Sequence, residues 1–216
     1  RIGVTNGNLG FVLNENGTKA LELSGTPVAE FAGGIDLVNY ETIIVRLNDT
    51  GIEWTDETLN IGRASYTFQD LPAGDDLKEV AILGAEFVID EFFALEGNFA
   101  IQSMSRTVTL ASGDTVETDS LGFGASQATG FIGTGRGTTD ATGLSFTDVE
   151  AAFVLFTAKD TETTYAGTTW TSLQARAAAI EILGTGEGLS MSSTNFAVDL
   201  NFVAGAPGDA DQSVVD

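Results

Sequence analysis

The sequence predicts an all-β protein, and three observations carry that prediction. Short runs rich in Thr, Val, Ile and Phe recur along the chain, the residue types that fit a pleated surface. Glycine is abundant (26) and proline scarce (3), and clusters of Gly, Asn and Asp punctuate the runs: NENG, NDTG, PAGDD, ASGD, TGRG, APGDAD. Within the runs apolar and polar residues alternate. In ETIIVRLN, Ile43, Val45 and Leu47 point one way and Ile44, Arg46 and Asn48 the other. In FAVDLNF, Phe196, Val198, Leu200 and Phe202 oppose Ala197, Asp199 and Asn201. A period of two places one face against a core and leaves the other wetter.

Taken in order, the predicted strands are Leu9–Leu13, Ala20–Ser24, Thr42–Leu47, Ala64–Phe68, Val80–Ile89, Phe92–Gln102 and Thr107–Leu110. Gly122–Ala125, Leu144–Phe146, Ala152–Thr157, Leu189–Ser192 and Phe196–Phe202 follow. One stretch argues for helix instead. SLQARAAAIEILG offers Ser172 as a cap, an Ala-rich middle and Gly184 as a stop.

An internal echo overrules that helix. Phe11-Val12-Leu13 matches Phe153-Val154-Leu155, Leu21 falls on Leu173, and Leu47-Asn48 falls on Leu200-Asn201. Gly3-Val4 and Gly143-Leu144 also correspond. The second copy carries roughly ten extra residues after its first strand, in KDTETTYAGT. Under this alignment the helix-like segment matches ALELSGTPVAEFAGG, where Gly25 and Pro27 oppose a helix. Both copies therefore read as extended, with Ala175, Ala177 and Ala179 alternating along a strand. The expected organisation is one β repeat unit over residues 1–141 and a partial second unit over 142–216. A β-solenoid-like stack of short strands is the favoured architecture, with tandem β-sandwich modules as the alternative. A chain that starts at Arg1 and ends in mid-period reads as a segment of something longer.

The order GVTNGNLGFVLNENGTKALELSG, GGIDLVNYETIIVRLNDTG, FFALEGNFAIQ resembles units of very large, repetitive bacterial surface or secreted proteins. In that family LGxVL-type and LxLxG-type strands alternate with Gly/Asp/Asn turns. The resemblance implies an extracellular, elongated, adhesive or filament-forming role, secreted or held at the cell surface. It supplies no catalytic residues, and the GGxGxD series of calcium-binding nonapeptide arrays is missing.

Composition narrows the chemistry. With 9 Lys+Arg against 31 Asp+Glu the net charge is −22, and both His and Cys are absent. Such acidity repels nucleic acid and anionic membrane and favours divalent cations. Disulfides, thiolate nucleophiles, Cys/His zinc sites and imidazole acid–base chemistry are excluded. No run of about 18 apolar residues exists, so no membrane insertion is expected. GTGRG at Gly133–Gly137 lacks the Lys-Ser/Thr of a phosphate loop and reads as a turn. The carboxylate pair Asp90 and Glu91 is adjacent on a strand and points to opposite faces, which suits glycoside hydrolysis poorly. Two acidic turns, DLPAGDD and GDADQ, place carboxylates where a hard cation takes oxygen ligands; Asp75, Asp76, Asp209 and Asp211 are the candidate calcium ligands. Asn16-Gly17-Thr18 and Asn48-Asp49-Thr50 match the glycosylation sequon. The expectation is a non-enzymatic structural or adhesive module whose partners are copies of itself, neighbouring repeats or surface glycans. The rival reading is a carbohydrate-binding or polysaccharide-processing β domain, with Trp54, Trp170, Tyr40, Tyr66 and Tyr165 as a stacking platform or as core residues.

Overall fold

A computed structural model describes residues 2–29, 35–89, 92–162, 164–184 and 191–205. Among these residues the only regular elements are strands, as the alternation requires. They are β1 (Ile2–Leu13), β2 (Lys19–Ala29), β3 (Ile35–Asn39), β4 (Thr42–Asn48), β5 (Thr58–Ile61) and β6 (Ala64–Thr67). Then follow β7 (Asp75–Ile89), β8 (Phe93–Thr109), β9 (Thr115–Thr134), β10 (Thr142–Ala158), β11 (Thr169–Leu183) and β12 (Met191–Ala204). The Ala-rich segment is β11; Ala175 and Ala177 are more buried than Gln174, Arg176 and Ala178, the alternation of a strand.

Ten strands form one antiparallel sheet in the order β1-β2-β4-β7-β8-β9-β10-β11-β12, with β3 beside the far half of β7. The sheet does not close into a barrel, because β1 and β12 each pair on one side only. It runs without a break across residues 141–142, where β9 and β10 are paired along most of their length. The hairpin β5–β6 forms a separate two-stranded ribbon.

Several observed strands join stretches that the sequence separates. β10 contains both Leu144–Phe146 and Ala152–Thr157, and β8 contains Phe92–Gln102 (from Phe93) and Thr107–Leu110 (to Thr109). The interruptions are irregularities within strands: register shifts fall at Thr5/Asn8, Ile82/Ala85, Glu96/Asn98 and Phe146/Val149. Asn6, Gly84, Gln127, Asp148 and Asn195 sit there or at equivalent points, all at positive φ between 50° and 59°. Asn, Asp and Gly tolerate that conformation and mark bulges as readily as turns. Side chains stitch the bulges together: Asn98 Oδ1 accepts from Gly84 N–H (3.0 Å), and Asn98 Nδ2 donates to Gln127 Oε1 (3.0 Å).

This line of bulges crosses the sheet and bends it. In the bend sits a core of Ala85, Phe99 and Ala128, with Leu37, Ile82, Phe87, Leu95, Ala125 and Val149 against it. Two further cores lie over the opposite face near the other end of the strands. One groups Ala20, Phe68, Leu71 and Leu77 under the segment that links β4 to β7. The other groups Val108, Leu110, Val116, Phe156, Ala158, Tyr165 and Trp170 under the β10–β11 connection.

Candidate interaction surfaces

Directly paired residues in an antiparallel sheet point to the same face, so register defines rows of side chains. One row crosses all nine strands of the main path: Leu9, Leu23, Val45, Val80, Ile101, Phe123, Phe153, Leu173 and Leu200. Every member is apolar. The parallel row two residues along holds Phe11, Leu21, Leu47, Lys78, Ser103, Leu121, Leu155, Thr171 and Phe202. On the other flank, Ile43, Ile82, Phe99, Ala125, Ala151, Ala175 and Val198 descend into the bend. Lys78 is the only ionisable side chain among them, although the chain carries 31 acids. Much of this face is uncovered: Ile101 is 56% exposed, Phe123 42% and Leu200 50%. Sequence alternation identified the strands' apolar sides; their addition into one surface depends on register.

On the opposite face β2, β4 and β7 carry a buried polar network, whereas Ala152, Gln174, Asp199 and Asn201 of that face are exposed. Glu22, on β2, is 1% exposed and accepts from Arg46 Nε (3.1 Å), Tyr66 Oη (3.0 Å), Gln69 N–H (2.8 Å) and Asp70 N–H (3.4 Å). Arg46 also pairs with Glu79, whose other oxygen accepts from Gln102 Nε2 (3.0 Å). Burial alone would raise the Glu22 carboxyl, but these donors together hold it below its ordinary value. Burial and the Glu22 carboxylate beside it push the Tyr66 phenol up. Arg46 is held further toward its cationic form: burial opposes this, but Glu22 and Glu79 prevail. The network fastens the β4–β7 segment over the sheet.

The residues singled out from the sequence are dispersed. Asp75 and Asp76 begin β7 and are exposed; Asp76 forms an ion pair with Lys78 (2.8 Å). Asp209 and Asp211 lie outside the described residues, as do Asp90 and Glu91. Among the described residues no three acidic side chains converge as a metal-holding group. Gly133–Gly137 ends β9 and begins its turn to β10, where Arg136 pairs with Glu86 (2.6 Å) and Glu96 (3.7 Å). Trp170 and Tyr165 pack in the core under the β10–β11 connection, with ring centroids 5.9 Å apart. Trp54 and Tyr66 pack on Phe68; Tyr40 alone of the five aromatics is exposed. Asn48 is buried, its amide donating to Ile52 O (2.8 Å) and Pro72 O (2.7 Å), whereas Asn16 stands in the exposed β1–β2 turn.

The two free edges carry the echo. Phe11, Leu21 and Leu47 are successive neighbours across β1-β2-β4. Their counterparts Phe153, Leu173 and Leu200 are successive neighbours across β10-β11-β12. Both triplets lie on the apolar face. The first block forms one edge of the sheet and the second the other. No family model matches the chain, and no curated protein or solved structure shows significant similarity to it.

Proposed function

We propose that this chain is a structural, adhesive module of an elongated extracellular bacterial protein, lengthened by edge-to-edge addition of equivalent units. The carrying observation is the identical register of β1-β2-β4 and β10-β11-β12 at opposite edges. Equivalence assigns a neighbour to each free edge. β10 is paired with β9, so the free edge of β1 takes the β9-like strand of a preceding unit. β4 is paired with β7, so the free edge of β12 takes the β7-like strand of a following one. Edge strands left open are templates for such pairing, and repeats that contact only their neighbours build quasi-linear arrays. The role is mechanical: hydrogen-bonded strands give stiffness, and the acidic shell (net charge −22) stays soluble and is bridged by divalent cations such as calcium.

The test is a series of tandem chains in which residues 1–141 are repeated ahead of 142–216. Six inter-strand steps of the main path lead from β1 to β10, so each added unit lengthens the particle by roughly 30 Å at about 4.8 Å per step. Small-angle scattering reads this as a linear rise in maximum dimension, and negative-stain images with and without chelator report on cation bridging. Compact particles of constant dimension, or glycan hydrolysis by them, would count against the reading.

A further inference from the structure

We infer that the apolar face of the sheet packs against the same face of a second copy of this chain, layer on layer, about a two-fold axis near Ile101. The inference concerns the face and does not require the edge-to-edge reading. An exposed apolar surface continuous over nine strands is larger than an isolated soluble protein ordinarily presents. The uncovered part is the central row and the row from Phe11 to Phe202, which run about 40 Å across the strands at about 4.8 Å per strand; Ile43 (1% exposed) and Phe99 (8%) of the third row are already covered by the fold. Charge distribution points to a like partner. A net charge of −22 opposes self-association everywhere else, yet no carboxylate enters the three rows, so two such faces meet without repulsion.

The occupant is a sheet rather than a bilayer. β1 and β12 leave unpaired backbone groups at both edges, which hydrocarbon does not tolerate outside a closed barrel. The apolar faces of two sheets, by contrast, pack as aligned layers about 10 Å apart. The distribution of residues is self-complementary. The Phe11–Leu21–Leu47 block at one end and the Phe153–Leu173–Leu200 block at the other carry the same side-chain types in the same register. A two-fold rotation about an axis along β8 sets Leu9 against Leu200 and Phe11 against Phe202, apolar on apolar within each row. The middle strand of the nine is β8, and its member of the central row is Ile101, 56% exposed.

The full chain contains no cysteine, so a single introduced thiol reports cleanly. Ile101→Cys, at the axis, is expected to cross-link to its own copy under mild oxidation. Ala152→Cys, exposed on the opposite face, should remain monomeric on non-reducing gels. In sedimentation velocity the wild-type chain should be a dimer at micromolar concentration. Ile101→Lys should weaken self-association by about 100-fold or more, because it buries an unpaired charge, with the circular dichroism of a folded β protein retained. Should Ile101→Lys misfold, the cross-linking of Ile101→Cys decides alone. A wild-type monomer whose Ile101→Cys form stays unlinked would overturn the inference, as would cross-linking of Ala152→Cys to the same extent. A dimer that survives Ile101→Lys but is lost when Asp199→Pro blocks the β12 edge would also overturn it, leaving edge addition intact. Monomers that bind phosphatidylcholine vesicles through Ile101 would overturn it in favour of lipid.

Discussion

Gly10, the glycine of the opening GNLGF, is a seat rather than a hinge. A Cβ built there would stand 2.3 Å from the Tyr66 ring, so the ring lies directly on the β1 backbone and its hydroxyl reaches Glu22 (3.0 Å). Gly10→Ala should displace Tyr66 and cost about 1–3 kcal/mol, the usual scale of overpacking, read as a lowered urea midpoint. Glu22 supplies the second prediction at this scale. Its folded carboxyl lies below the ordinary 4.5, so its contribution is complete above that pH and is lost as pH falls through the depressed folded value. The stability difference between wild type and Glu22→Gln should therefore be largest above pH 4.5 and shrink on acidification, which denaturant titrations across pH will show.

At the scale of elements, the bulge line converts flat strands into a bent sheet and buries Phe99 and Ala128 in the bend. Asn98 is its cross-strand clasp, serving β7 through Gly84 and β9 through Gln127. Asn98→Ala should cost about 1–3 kcal/mol by stranding the part-buried Gly84 amide, and amide exchange at Gly84 should accelerate while that of β11 is unchanged. Asp148 and Asn195 hold φ of 50° and 55°; a β-branched residue there is strained by about 1–3 kcal/mol. Asp148→Val should lower the thermal midpoint accordingly, whereas Asp148→Gly should leave it near the wild-type value. The same residues explain why the strands read short: Asn, Asp and Gly look alike at a turn and at a bulge, and only pairing on both sides tells them apart.

For the whole molecule, acidity and apolar surface are segregated. The three apolar rows admit only Lys78 as an ionisable group, and carboxylates such as Asp119 on β9 stand beyond them. Like-charge repulsion spread over a net −22 destabilises the compact state and is screened by salt. Moderate sodium chloride should therefore raise the unfolding temperature, measured by circular dichroism, and strengthen any self-association. A chain stabilised chiefly by surface ion pairs would show the opposite trend.

By itself the sequence determined the all-β class and the extended nature of the Ala-rich segment. Both follow from local chemistry: period-two alternation and turn residues. Only the tertiary structure decided what those apolar positions amount to. Alternation says that a strand has an apolar side; register decides whether nine such sides fall in line or cancel. The buried Glu22–Arg46–Glu79 network was likewise hidden, because its members stand on three strands whose adjacency no local pattern encodes. Pairing between distant segments, set by backbone hydrogen bonds, turned scattered residues into a buried polar network on one face and apolar rows across the other.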